Sequence, residues 1–118
     1  MRRLALLPLL IALGGFVPAD ADVASSRSGG LGTRVNGALG GRCSSGVCRI
    51  DGGSAGGSNR FHRLSEFDTR GAIQGVSIDS DGVRNLVLGV TAADGSFIDK
   101  SVSLTSPAHL FVLSPGGI

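Results

Sequence analysis

After residue 30 the chain is a series of short apolar stretches separated by clusters of Gly, Asp, Ser and Pro. Residues 83–91 are the clearest of these. Leu86, Leu88 and Val90 alternate with other positions, the period-two pattern of a strand that buries one face. Residues 72–78 predict another strand with Ile73, Val76 and Ile78 inward, and the change of parity at Gly75 predicts a bulge. Shorter strands are predicted at 31–36 and 47–50. Phe97-Ile98 followed by Val102 and Leu104 gives the next strand or pair, and Leu110, Val112 and Leu113 lie in the last one. Phe61, Leu64 and Phe67 fit either one face of a helical turn or a bent strand. Residues 79–82 and Asp94-Gly95 are turns, since Asp and Gly tolerate the positive φ that tight turns need. Ser106-Pro107 is a corner. Residues 37–46 and 51–59 read as loops, and 22–30 as a flexible leader.

Short strands punctuated by turns imply an all-β fold. The pattern leaves sandwich, barrel and solenoid open. No exact repeat is visible, although apolar segments recur about every ten residues, as hairpins or the corners of a stacked coil would produce. Composition agrees: the chain has 20 glycines without a Gly-X-Y period, and neither Trp nor Tyr.

The N-terminus belongs to a different class. Arg2 and Arg3 precede an apolar run of 14 residues (4–17), and Ala19-Asp20-Ala21 places small residues where a signal peptidase reads. Residues 1–21 therefore predict a Sec-type signal peptide cleaved after Ala21. The run is shorter than the roughly 20 residues of a membrane span; an uncleaved anchor is the alternative. Removing Arg2, Arg3 and Asp20 from 11 basic and 9 acidic residues leaves a net charge of +1. That balance argues against nucleic acid as a partner, which requires a clustered basic surface. An oxidising destination makes Cys43 and Cys48 a disulfide pair. Two cysteines are too few for a structural zinc site, and the spacing is not Cys-x-x-Cys.

Other chemistry finds little support in the residues. His62 and His109 are the only histidines, and no Gly-x-Ser-x-Gly elbow accompanies them, so strand or turn roles are expected and not catalysis. Asp79 and Asp81 sit in half a calcium loop that lacks the later ligands. Gly52-Gly53 and Gly56-Gly57 do not make a dinucleotide fingerprint. No cofactor, metal or small-molecule substrate is expected, and the chain is read as a non-enzyme.

Four blocks resemble the N-terminal secretion domain of filamentous-haemagglutinin-like exoproteins, the two-partner secretion family. They are Leu31-Gly32-Thr33 with Val35-Asn36; Ile50, Gly52-Gly53 and Gly57-Ser58-Asn59-Arg60-Phe61-His62 with Phe67; Gly82-Val83-Arg84-Asn85-Leu86-Val87 with Val90-Thr91 and Ile98-Asp99; and Ala108-His109-Leu110-Phe111-Val112-Leu113-Ser114-Pro115-Gly116-Gly117-Ile118. Departures occur at Arg60, where the family has Leu, at His109, where it has Asn, and at Ser114 and Gly116, where it has two asparagines. The resemblance implies that residues 31–118 are the first part of a right-handed parallel β-helix of about three to four coils. It implies export by the Sec machinery, transit through the periplasm and release outside the cell or display on its surface. It also implies recognition by the periplasmic domains of an outer-membrane transporter. Asn59, Phe61, His62, Phe67, Leu110, Phe111, Pro115, Gly117 and Ile118 would carry structure or recognition, with the Phe111 ring in the core. Pro115-Gly116 would form a type II turn with positive φ at Gly116. A stand-alone periplasmic remnant or a small surface adhesin are the alternative readings.

Overall fold

The computed structural model describes residues 21–118, so the expected signal peptide, Ala19 included, lies outside the described residues except for Ala21. Eleven strands and no helix occur among the described residues. They are β1 (Val23–Ser25), β2 (Thr33–Val35), β3 (Ala38–Leu39), β4 (Arg42–Cys43), β5 (Gly46–Gly52), β6 (Ser54–Gly56), β7 (Asn59–Phe67), β8 (Ile73–Ile78), β9 (Asn85–Val90), β10 (Val102–Leu104) and β11 (His109–Leu113). The expected all-β class is what forms. Two mixed sheets result, neither closed on itself. The first has the order β11-β9-β7-β1-β4, with β6 also paired to β7; the second has the order β10-β8-β5-β2-β3.

From β5 onward the main strands alternate between the sheets. β5, β8 and β10 pair in parallel in the second sheet, and β7, β9 and β11 pair in parallel in the first. Parallel neighbours need a long crossover, and here the crossover of each sheet is a strand of the other. Before β5 the pairing is antiparallel: β1 lies between β4 and β7, and β2 between β3 and β5.

The core fills the space between the sheets. Val35, Ile50, Val76 and Ile78 from the second sheet meet Val23, Leu64, Phe67, Leu86 and Leu88 from the first. Parallel register stacks like on like: Ile50, Ile78 and Leu104 are direct partners, as are Leu88 and Val112. Apolar side chains in such a column cover one another and exclude water, the main favourable term in the fold. Cys43 in β4 and Cys48 in β5 form the expected disulfide, with Cα atoms 5.7 Å apart. Because β4 and β5 belong to different sheets, this short bond joins the two layers at their antiparallel end.

Several local expectations change. The flexible leader contains β1, whose Val23, Ala24 and Ser25 are all buried. A three-residue run has no periodicity to read, and it becomes a strand because β4 and β7 supply partners on both sides. The loop at 37–46 contains β3 and β4, and the loop at 51–59 contains the end of β5 and β6. Of the two readings at Phe61, Leu64 and Phe67, the bent strand forms. A register shift beside Ser65 puts Leu64 and Phe67 on the same inner face and leaves Phe61 outside. The bulge near Gly75 is present, as Gln74 is the extra residue opposite Gly46/Val47. Phe97-Ile98 makes only a single parallel bridge, from Phe97 to Asp68, and no strand.

Candidate partner-binding surface

Three rows of side chains cross the outer face of the first sheet. Asn59, Asn85 and His109 are direct partners on β7, β9 and β11; Phe61, Val87 and Phe111 form the next row; Arg63, Gly89 and Leu113 form the third. The first row is tied by a hydrogen bond from Asn85 Nδ2 to Asn59 Oδ1 of 2.8 Å. An amide ladder of this kind fixes register, since a slip of one residue would break it and turn each strand inside out. The second row is apolar and open to water. Phe61 is 37% exposed and Phe111 50% exposed, with Leu113 at 57% beside them. The Phe111 ring is therefore not in the core, contrary to expectation. Its register opposite Val87 directs it outward and directs Leu110 and Val112 inward. A shallow pocket of about 260 Å³ lined by Arg84, Pro107, Ala108 and His109 opens at the His109 end of this face.

The same region holds one edge of each sheet formed by the described residues. β11 is the last strand of the first sheet and β10 the last of the second. Val102, Leu104, Leu110 and Val112 pack against the core but remain partly exposed. An edge strand leaves a row of backbone donors and acceptors without sheet partners. Neither β10 nor β11 contains Lys, Arg, Asp, Glu or Pro, so the usual devices that discourage strand addition are missing along both.

The corners stack on one another as the strands do, with shifts in register. In the turn at 92–95 the Gly95 N–H donates to the Ala92 carbonyl at 3.1 Å, and at 114–117 the Gly117 N–H donates to the Ser114 carbonyl at 2.8 Å. These turns are joined by the Ser96 N–H, which donates to the Gly117 carbonyl at 2.8 Å, and by the Ser96 and Ser114 hydroxyls 2.9 Å apart. Positive φ falls on Gly117 (102°) and not on Gly116, so the expected type II turn does not form. Gly116 is required for a different reason: a Cβ there would lie 2.5 Å from the Gly95 nitrogen and 2.7 Å from the Ala93 carbonyl. Pro115 and Gly117 thus shape a corner that carries Ile118, 76% exposed, at its end. At a second corner Ser80 bonds Ser106 through the Ser80 hydroxyl to the Ser106 carbonyl and through the Ser106 N–H to the Ser80 hydroxyl. Asp79 and Asp81 serve this corner too. Asp79 accepts the Asp81 N–H at 3.0 Å, and Asp81 accepts the Thr105 hydroxyl at 3.0 Å. Among the described residues no group of three or more His, Cys, Asp or Glu is placed to hold a metal ion.

His62 and Phe67 lie on the inner side of β7, fully buried, and so do not share the outer face with Asn59 and Phe61. His62 Nδ1 is 3.1 Å from the Thr33 hydroxyl, which also accepts the Arg63 N–H at 3.0 Å. Its Nε2 is buried and has no hydrogen-bond partner among the described residues. Burial, reinforced by the nearby Arg60 charge and opposed by Asp51 and Asp79, lowers its pKa to about 4. The ring is thus neutral at pH 7 and belongs to the core, with a threonine and no serine as its partner. At the third corner Arg70 pairs with Asp68 at 2.6 Å and lies 3.8 Å over the Phe97 ring. Those hydrogen bonds hold the Asp68 carboxyl below the usual range.

The expected motif therefore divides into an inner set, His62, Phe67 and Leu110, and an outer set, Asn59, Phe61 and Phe111, with the corner beyond them. Asn85, Val87 and Leu113 complete the outer face and were not anticipated. Their signal is a degenerate repeat: Asn59-x-Phe61-x-Arg63, Asn85-x-Val87-x-Gly89 and His109-x-Phe111-x-Leu113, at intervals of 26 and 24 residues. Comparison with family models, curated proteins and solved structures finds no match to this chain.

Proposed function

We propose that this chain is the export-recognition module of a larger secreted exoprotein, bound in the periplasm by an outer-membrane transporter and able to seed a parallel β-helix. The observation that carries the proposal is the alternation of strands between two sheets with parallel pairing in both. Strands β5/β7, β8/β9 and β10/β11 read as three successive coils, each offset from the last by 24 to 28 residues. Corners also stack on one another, Ser80 on Ser106 and the 92–95 turn on the 114–117 turn. The antiparallel strands β1–β4 cap one end, and β10 and β11 leave the other free to template a further coil. A transporter would take hold by adding a strand to that free edge and covering the Phe61/Val87/Phe111 row. Backbone groups would supply affinity, and the apolar row specificity. No cofactor is required, and the chain performs no bond-making chemistry in this reading.

The test is a secretion assay. The chain is placed ahead of an inert passenger and expressed in cells with and without an outer-membrane two-partner transporter. The passenger should reach the medium only with the transporter, and Phe61→Ala/Phe111→Ala should reduce its release while periplasmic levels hold. Passenger retained in the periplasm under both conditions would refute the proposal.

A further inference from the structure

The bond that a signal peptidase would cut lies against the folded module and not on a tail beyond it. Ala19 and Ala21 predict cleavage between Ala21 and Asp22. In the structure Asp22 is only 5% exposed, and β1 begins at the next residue. Two contacts hold Asp22 in place. Its carbonyl accepts the Asp68 N–H at 2.9 Å, and its carboxylate accepts a hydrogen bond from Arg42 Nη1 at 2.5 Å. Ala21 is half-buried at the Gly71 corner, where a Cβ on Gly71 would lie 3.5 Å from the Ala21 methyl carbon. β1 itself is an interior strand, with Val23 paired to Cys43 on one side and to Phe67 on the other. The bond from Cys43 to Cys48 anchors β4, one of these two neighbours, to the second sheet.

We infer, resting on the export reading and the signal peptide it includes, that folding closes this cleavage site, so that signal removal has to precede the docking of β1. A protease binds its substrate as an extended segment, through backbone groups on either side of the bond it cuts. Here the residue after the bond is buried, and the next two, Val23 and Ala24, are paired on both edges. At about 3.5 Å per residue, Ala21 alone gives the bond no reach away from the surface. Cutting the folded chain requires β1 to leave its place between β4 and β7, and the rate then follows the fraction of molecules in which it has left. The module thereby imposes an order. A chain still extended as it leaves the Sec machinery is cut, and a chain that folds first keeps residues 1–21.

The experiment takes the full chain from Met1 to Ile118, made outside cells as the uncut precursor, folded and oxidised, and adds purified signal peptidase in detergent. Cleavage after Ala21 is followed by mass spectrometry. Val23→Asp places a carboxylate at a fully buried position of β1 and leaves Ala19 and Ala21 untouched; it should be cut at least about tenfold faster than the parent. A second variant keeps the fold: a flexible stretch of about ten Gly and Ser residues inserted between Ala21 and Asp22 carries the bond off the surface. It should be cut as fast as Val23→Asp while its circular dichroism matches that of the parent. A parent cut as fast as these variants, or a folded spacer variant as resistant as the parent, would overturn the inference. If none of the three is cut after Ala21, the inference falls together with the expected signal peptide. A resistant parent beside a cleavable spacer variant supports it whatever the passenger assay shows of the transporter.

Discussion

Acidification should destabilise this protein through a single histidine. His62 takes up a proton at pH 6.5 when exposed but only at about 4 in the folded chain. Between those values the unfolded chain binds more protons than the folded one, so stability falls as the pH drops. Above 6.5 the ring is neutral in both states and contributes no slope. At about 1.4 kcal/mol per pH unit, the loss is about 2 kcal/mol at pH 5 and about 3 kcal/mol at pH 4. That is a large share of the roughly 5–15 kcal/mol that holds a typical domain together. The structural cause is burial beside Thr33, and an imidazolium would carry an Nε2 N–H that no group among the described residues accepts. Asp68 and Asp99, whose pKa values are lowered by hydrogen bonds from Arg70 and Thr69, lose their contributions as the pH falls below 3.8, a separate window. The assay is urea unfolding followed by far-UV circular dichroism from pH 7.5 to 4, because the chain has no Trp or Tyr to report by fluorescence. His62→Gln, which does not titrate and can still bond Thr33, should flatten the profile between 6.5 and 4. A flat profile in the unsubstituted protein, or an NMR titration of the folded His62 ring near 6.5, would refute the reasoning.

Two further outcomes follow from burial and covalent linkage. Phe67→Ala removes a fully buried ring and should cost about 3–5 kcal/mol, whereas Phe111→Ala, half exposed on the outer face, should cost under about 1 kcal/mol; equal losses in parallel urea melts would contradict the assigned register. Replacing Cys43 and Cys48 together by Ala should lower stability by about 2 kcal/mol, the loop they close being short, and a reducing agent should then have no effect on the variant's midpoint while lowering that of the parent.

The parts of this fold that depend on neighbours in sequence could be read from it. Leu86, Leu88 and Val90 announce β9 because a pleated strand alternates its faces whatever it pairs with. The bulge before Gly75 shows as a break in that alternation. Asp-Gly and Pro-Gly pairs mark corners because their φ preferences are local. Phe111 could not be placed the same way. Apolar residues fill both faces of β11, and only pairing with β9, opposite Val87, decides which face looks inward. β1 is a stronger case. Val23-Ala24-Ser25 carries no pattern of its own, and it forms a strand because β4 and β7 pair with it on either side.

The candidate surface divides along the same line. From sequence alone come the all-β class, the positions of the corners at Asp94-Gly95 and Pro115-Gly116, and the disulfide pair. Tertiary structure decided that Asn59, Asn85 and His109 form one row, that Phe61, Val87 and Phe111 form another, and that His62 turns away from both into the core. The physical reason is range. Backbone preference and alternation act over a few residues, whereas parallel pairing joins residues 24 to 28 positions apart, and only that pairing determines which side chains share a face.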